Sequence, residues 1–180
     1  MVMVKVIGID PGLAATGVGI VTGRGVAVGS YSCGMIRTEK TLATAVRLES
    51  LFARLQSVLE DERPDLMVVE DVYSLSKYPK SGIVLGKVIG VILLAACRSG
   101  LPVAEVPVRE AKKVLTGSGN ASKDQLERAV RHQLKLTGAI RPDHLSDALA
   151  LALIGLFRYE QTIRVARRQP ADPQEQTKRI

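Results

Sequence analysis

Two short apolar runs in this chain each end in an acid: Met3 to Ile9 leads into Asp10, and Leu66 to Val69 leads into Glu70. Runs of this length, rich in Val and Ile and lacking regular polar alternation, belong to strands in the middle of a sheet. An acid at the end of such a strand sits where the sheet meets solvent. If the two strands are neighbours, their ends bring two carboxylates together. Pro11-Gly12 turns the chain away directly after Asp10, and Asp before Pro is also a common turn former, so Asp10 taken alone has two readings.

The remaining elements follow from periodicity. Thr16–Val21 and Val26–Ile36 predict two more strands, joined as a hairpin at Gly23-Arg24-Gly25. From Thr41 to Glu62 the apolar spacing changes to three and four, which predicts an amphipathic helix ending ahead of Pro64. Ser81–Arg98 is a nearly uncharged helix with Gly82, Gly86 and Gly90 four apart, and Pro102–Val106 is a short strand. Arg109–Leu115 and Lys123–Leu136 are basic helices around the loop 117–121, and Ser122 with Gln125 fits a capping box. The last helix spans Asp143 to Tyr159, with Asp143 as its cap after Pro142. Residues 161–180 are basic and proline-broken, and are expected to be disordered. The order of elements predicts an α/β domain over 1–160, a five-stranded mixed sheet flanked by helices with strands one and four in its middle.

A chain of 180 residues is long enough for one domain with a real core. No apolar run is free of polar breaks over the ~20 residues a bilayer span needs, and MVMVKVIGID enters a strand without a cleavage pattern. Neither membrane association nor a signal peptide is expected. Cys33 and Cys97 lack CxxC spacing and read as free thiols of a reducing cytoplasm. The net charge of +7 is uneven: residues 109–141 carry eight Lys/Arg against three Asp/Glu, while 142–160 carry one against three. A basic surface beside an acidic pocket suits a polyanion held against bound cations, although a solvated surface without a partner has the same composition. Six aromatics and no Trp exclude a stacking platform for single strands.

His144 and Asp147 are three apart on the last helix and so share a face. The apolar stretch Ala148–Leu156 buries that helix and leaves the pair as its polar end. With Asp10 and Glu70 they make four candidate metal ligands, and divalent ions held this way hydrolyse phosphodiesters. Glu70 and Asp71 point to opposite sides of a strand, so only one reaches the site. His132 has no ligand-type partner at helical spacing and reads as a surface residue.

Three blocks, IGIDPGLAATG at Ile7–Gly17, VVEDVY at Val68–Tyr73 and DHLSDALALAL at Asp143–Leu153, together resemble the RuvC family of Holliday-junction resolvases over residues 3–159. The resemblance implies a ribonuclease-H-like fold and a homodimeric, metal-dependent endonuclease. Its members nick two opposed strands of a four-way DNA junction in recombination and repair, leaving 5′-phosphate and 3′-hydroxyl ends. It implies Asp10, Glu70, His144 and Asp147 as catalytic residues and ligands of two divalent ions per subunit, Mg²⁺ or Mn²⁺. One ion would activate water and the other stabilise the leaving oxygen, and the match favours Glu70 over Asp71. Tyr73 occupies a position where the family places an aromatic that stacks near the junction's opened centre; packing on the following helix is the other reading. Lys77, Lys80 and Lys87 are expected DNA-backbone contacts, as are Arg109, Lys112, Lys113 and Lys123, with Lys112 and Lys123 foremost.

The glycine stripe either seats its helix on the sheet or serves a two-fold interface, and the family implies the dimer together with a branch-migration motor as partner. Many members carry Asp where this chain has His144, and some carry His. Imidazole suits transition metals better than Mg²⁺, which predicts a relative shift toward Mn²⁺ and activity that falls as pH drops through the imidazole range. Actin-like ATPases and sugar kinases share the opening pattern but require a duplicated half and a second phosphate loop. A nuclease for RNA–DNA hybrids and a junction-binding protein without activity are the alternatives that an assay must separate.

Overall fold

The computed structural model describes residues 3–71 and 79–161, with side chains of Pro79 and Lys80 outside the description. The elements run β1 (Val4–Asp10), β2 (Ala15–Arg24), β3 (Ala27–Arg37), α1 (Thr44–Glu62), β4 (Leu66–Glu70), α2 (Pro79–Arg98), β5 (Val103–Val106), α3 (Val108–Thr116), α4 (Lys123–Gln133) and α5 (Asp143–Phe157). They form one five-stranded sheet in the order β3-β2-β1-β4-β5. β1–β3 are antiparallel, while β4 and β5 add in parallel beside β1. The two acid-ended strands are thus neighbours in the middle, as their apolar composition requires.

Side-chain alternation divides the core in two. Val6, Leu66 and Val68 pack with α5, α4 and α3 on one face. Ile7, Ile9, Met67 and Val69 pack with Leu51, Leu55 and Leu59 of α1 and with Val88 and Ile92 of α2 on the other. α5 is buried along nearly its whole length, from Ala148 to Leu156, so it is the central helix of its layer.

α5 reaches the sheet through glycine. Gly8 of β1 and Gly19 of β2 are cross-strand partners. A Cβ at Gly8 would lie 2.1 Å from the Ala148 carbonyl oxygen, and one at Gly19 would lie 2.6 Å from the Leu149 nitrogen. No side chain fits between helix backbone and strand backbone at these points.

Several boundaries differ from expectation for local reasons. The hairpin turns at Gly25-Val26, one step later than predicted, because Arg24 pairs with Ala27 and Gly25 takes the positive φ (56°) of a two-residue loop. Asp143 does not cap α5: Pro142 is the N-cap, without a side-chain cap bond, and Asp143 pairs with Arg141 instead. α4 ends at Gln133, just before Lys135 adopts φ 56°. α1 begins at Thr44, and the expected apolar face is not fully covered, since Leu42 and Val46 are about half exposed (47% and 48%). The Ser122–Gln125 capping box on α4 is formed.

α2 differs most in meaning. By length and composition Ser81–Arg98 is apolar enough to cross a membrane, where no such span was expected, yet only 28% of it is buried. A Cβ at Gly86 or Gly90 would meet nothing within 4 Å. These two glycines therefore do not seat the helix on the sheet; that contact is made by Val88, Ile92, Ala95 and Ala96. Both cysteines are free and exposed. Tyr73 and Lys77 lie outside the described residues, as does the expected tail beyond Gln161.

Overpacking against a helix backbone cannot be relieved by a rotamer change. Gly19→Ala should destabilise the chain by ~1–3 kcal/mol or more. Gly34→Ala, where the added Cβ meets nothing within 4 Å, serves as the control. Urea unfolding midpoints of the two variants check this, and equal midpoints would refute the close approach.

Candidate functional site

Gly8 pairs with Val68 and Ile9 with Val69 in the parallel β1/β4 register, which sets Asp10 and Glu70 side by side at the carboxyl ends of the two strands. Alternation then fixes their direction. Ile9 and Val69 belong to the α1/α2 face, so Asp10 and Glu70 both project toward the α5 face and Asp71 does not. Asp10 is buried at 7% exposure.

The turn after Asp10 is fastened by Thr16, which is fully buried. Its hydroxyl donates to the Gly12 carbonyl at 2.8 Å and accepts from the Gly12 N–H at 3.4 Å. Thr38 adds a second clamp, its N–H donating to the Ala14 carbonyl at 3.2 Å.

The other half of the site arrives on α5. Gly17, the cross-strand partner of Asp10, has no room for a Cβ, which would stand 2.3 Å from the His144 carbonyl oxygen. This approach brings His144 Nδ1 to 2.5 Å from Asp10 Oδ2. The His144 side chain is 47% exposed against 9% for Asp10, so the imidazole forms the rim and the carboxylate the floor. Asp147, one turn along, is largely buried, and the Lys123 ammonium at the start of α4 lies 3.9 Å from its Oδ2.

The acids repel one another. Burial pushes the Glu70 carboxyl up to about 7, reinforced by the charge and hydrogen bonding of Asp10 and by the charge of Asp147, with Lys123 offsetting only part. Asp147 is raised as well, first by burial and then by Asp10, against Lys123 and His144. No three His, Cys, Asp or Glu side chains among the described residues already converge as a formed cation site. The donor set nonetheless fits divalent ions: three carboxylates give hard oxygen ligands and the imidazole a borderline nitrogen. A cation would offset both the burial and the acid–acid repulsion that raise Glu70.

The residues predicted to grip DNA are less tightly grouped. Lys123 adjoins the acids. Arg109, Lys112 and Lys113 lie on α3, Arg109 packing over Gly119 and Lys112 half-buried. Lys87 is exposed on α2, while Lys80 is in its first turn with its side chain outside the description. Thr16 and the Gly8/Gly19 pair were not predicted to matter. Thr16 has a sequence signal in the TG that closes the first motif, whereas the glycine pair becomes visible only in cross-strand register.

Known proteins are similar to the chain over the elements that carry these residues. The family described as "Crossover junction endodeoxyribonuclease RuvC" matches residues 6–155. The protein of that name from Brevibacillus brevis is 37% identical over 149 residues, covering 83% of this chain and 89% of its own. The Thermus thermophilus RuvC structure superposes with a TM-score of 0.77 at 32% identity, covering 87% of this chain and 96% of its own. T. thermophilus RuvC in complex with Holliday junction substrate superposes with a TM-score of 0.81 at 31% identity, covering 88% and 96%.

The raised Glu70 carboxyl has a stability consequence. It binds its proton more tightly folded than unfolded, so the ion-free fold carries no penalty from it below pH 4.5 and loses stability as pH rises from there through about 7. Glu70→Gln should flatten that decline, leaving the ion-free variant more stable than the parent at pH 8 by on the order of 1–3 kcal/mol. Denaturant titrations in EDTA at pH 5 and pH 8 measure it, and parallel curves for parent and variant would show that the Glu70 carboxyl is not raised in the fold.

Proposed function

The chain belongs to the RuvC family of crossover junction endodeoxyribonucleases, and on that premise we propose that it resolves four-way (Holliday) DNA junctions by symmetric, paired hydrolytic nicks. One observation carries the proposal: Asp10 and Glu70 end two adjacent parallel strands, with His144 against Asp10 and Asp147 near enough to raise Glu70, within the segment matched to the family. The hydrolysis is divalent-metal-dependent, as in the family. We assign two ions per subunit, Mg²⁺ or Mn²⁺, to Asp10, Glu70, His144 and Asp147. When bound, they supply Lewis acidity for the attack of water and for departure of the 3′ oxygen.

The chain's own groups prepare that step. Asp10 orients the imidazole through Nδ1 and leaves the lone pair of Nε2 free. Both Glu70 and Asp147 carry raised proton affinity in the ion-free state, and Glu70, raised to about 7, is poised to exchange its proton for a cation near neutral pH. Lys123 places a positive charge beside the acids where a phosphate approaches. Tyr73, Lys77, Lys80, Lys87, Arg109, Lys112 and Lys113 complete the proposed DNA-binding set. The products are 5′-phosphate and 3′-hydroxyl ends.

Two symmetric nicks call for two sites related by a two-fold axis, and we assign the dimer interface to the uncovered stripe of α2. Ile83 and Leu94 are exposed there (64% and 53%), flanking Gly86 and Gly90. Despite its apolar α2, a nuclease fold acting on DNA is not a membrane protein. The cytoplasmic setting and the branch-migration motor expected from the family belong to this reading.

A labelled four-way junction, a matched linear duplex and an RNA–DNA hybrid, each with Mg²⁺, Mn²⁺ or EDTA, test the reaction. Paired nicks on the junction alone are expected, abolished by EDTA and reduced at least ~10²-fold by Asp10→Asn. Hybrid cleavage would keep the metal site and discard the substrate, and binding without cutting would leave a junction-binding protein. The interface has its own test. Gly90→Arg adds bulk and charge where the single chain has open space, so it should fold and sediment as a monomer. A variant that still sediments as a dimer would place the interface elsewhere.

A further inference from the structure

Arg37 ends β3, the edge strand two positions from β1 and its Asp10. Ala15 pairs with Arg37 and Gly17 with Met35 across β2/β3, while Asp10 pairs with Gly17 across β1/β2. Asp10, Gly17, Ala15 and Arg37 therefore project from the same sheet face, the one over which His144 lies, whereas the neighbouring Ile36 is buried with α1 and α2. Two strand spacings across and two residues beyond put the Arg37 Cα ~12 Å from that of Asp10. That is about three to four nucleotides of rise along a duplex axis.

The Arg37 backbone is held in place. Its carbonyl accepts from Arg54 Nη1 at 3.3 Å, and the next residue's N–H donates to the Ala14 carbonyl in the turn that follows Asp10. Its side chain is exposed and makes no hydrogen bond or ion pair among the described residues. No ion pair joins it to the nearby Glu39, whose carboxylate accepts from the Thr41 N–H and hydroxyl instead. Lys123 acts on both Glu70 and Asp147. The acids thus have Lys123 beside Asp147 and the unpaired Arg37 guanidinium at the end of β3, two strands from Asp10.

We propose that Arg37 binds a backbone phosphate of the DNA strand being cut, on the β3 side of the reacting phosphate, and so sets the line of that strand across Asp10. The inference rests on the nuclease reading and adds a contact outside the residues named for it. A guanidinium suits this role because it holds a phosphate through two parallel N–H bonds.

The test measures junction binding against salt in EDTA, so that no strand is cut, for the full chain and for Arg37→Ala, Arg37→Lys and Arg24→Ala. Arg24 lies at the opposite end of the same hairpin, so its variant reports any general effect of lost charge. Arg37→Ala should weaken binding roughly five- to twentyfold near physiological salt and lower the slope of log K against log salt by about one per subunit. Arg37→Lys should keep the slope, and Arg24→Ala should keep both. An unchanged slope and affinity in Arg37→Ala, or an equal loss in Arg24→Ala, would overturn the contact while leaving the nuclease reading intact. A parent protein that binds linear duplex as well as junction would overturn the junction reading instead, with the Arg37 slope still deciding this inference.

Discussion

The site depends on how closely α5 lies on β1 and β2. Gly8 and Gly19 face each other across the strands, and Gly17 faces Asp10; at all three an added Cβ would collide with the α5 backbone. The helix answers with Ala148 and Ala152 at the contact, and Gly155 lets Val6 and Val68 in below. Glycine weakens a strand considered alone, so the arrangement is tolerated only because α5 buries an unbroken apolar stretch from Ala148 to Leu156 in exchange. Backbone-to-backbone packing leaves little room to slide. The position of His144 over Asp10 is thus set by the same contacts that hold the core together, without a loop or a flexible side chain intervening.

Charge works against that packing. Lys123 at 3.9 Å from Asp147 gives at most ~4 kcal/mol of attraction at an effective dielectric of 20, and ~1 kcal/mol in water. Its side chain is 62% exposed, which places it toward the weaker limit. The result is visible at Glu70, which stays at about 7 despite the lysine. One ammonium on the rim cannot neutralise three carboxylates. The fold therefore leaves an electrostatic deficit that a divalent ion fills far better than another side chain would, because it adds two charges among the oxygens themselves. His144 keeps the deficit from growing, since it adds a ligand atom without adding a fourth negative charge.

Much of this was legible in the residues. Two apolar runs ending in acids implied adjacent central strands; strand parity admitted only one of Glu70 and Asp71 to the site, and the family resemblance favoured Glu70. The spacing of His144 and Asp147 implied one helical face. What was hidden depended on contacts between distant segments. Gly23, Gly25 and the arginine between them offered no local reason to prefer one turn over another, and pairing of Arg24 with Ala27 decided it. The period of α1 included Leu42 and Val46 but carried no information about where the sheet stops beneath them. Glycines four apart on α2 looked the same whether they met a sheet or open space. Arg37 showed nothing locally, because its meaning comes from the residues it faces two strands away.

Acids at the centre, with Lys123 beside them and Arg37 exposed two strands away, have a consequence for how DNA and metal act on each other. At a distance these cations attract a phosphodiester backbone, but at the floor of the site an ion-free cluster repels the phosphate that must enter it. Any interaction that is better with the metal present makes the metal bind better with DNA present by the same factor, because the coupling free energy is shared. The acids therefore do two things with one set of charges. In the proposed reaction they would hold the ions that do the chemistry, and without those ions they would keep a phosphate from settling at the floor.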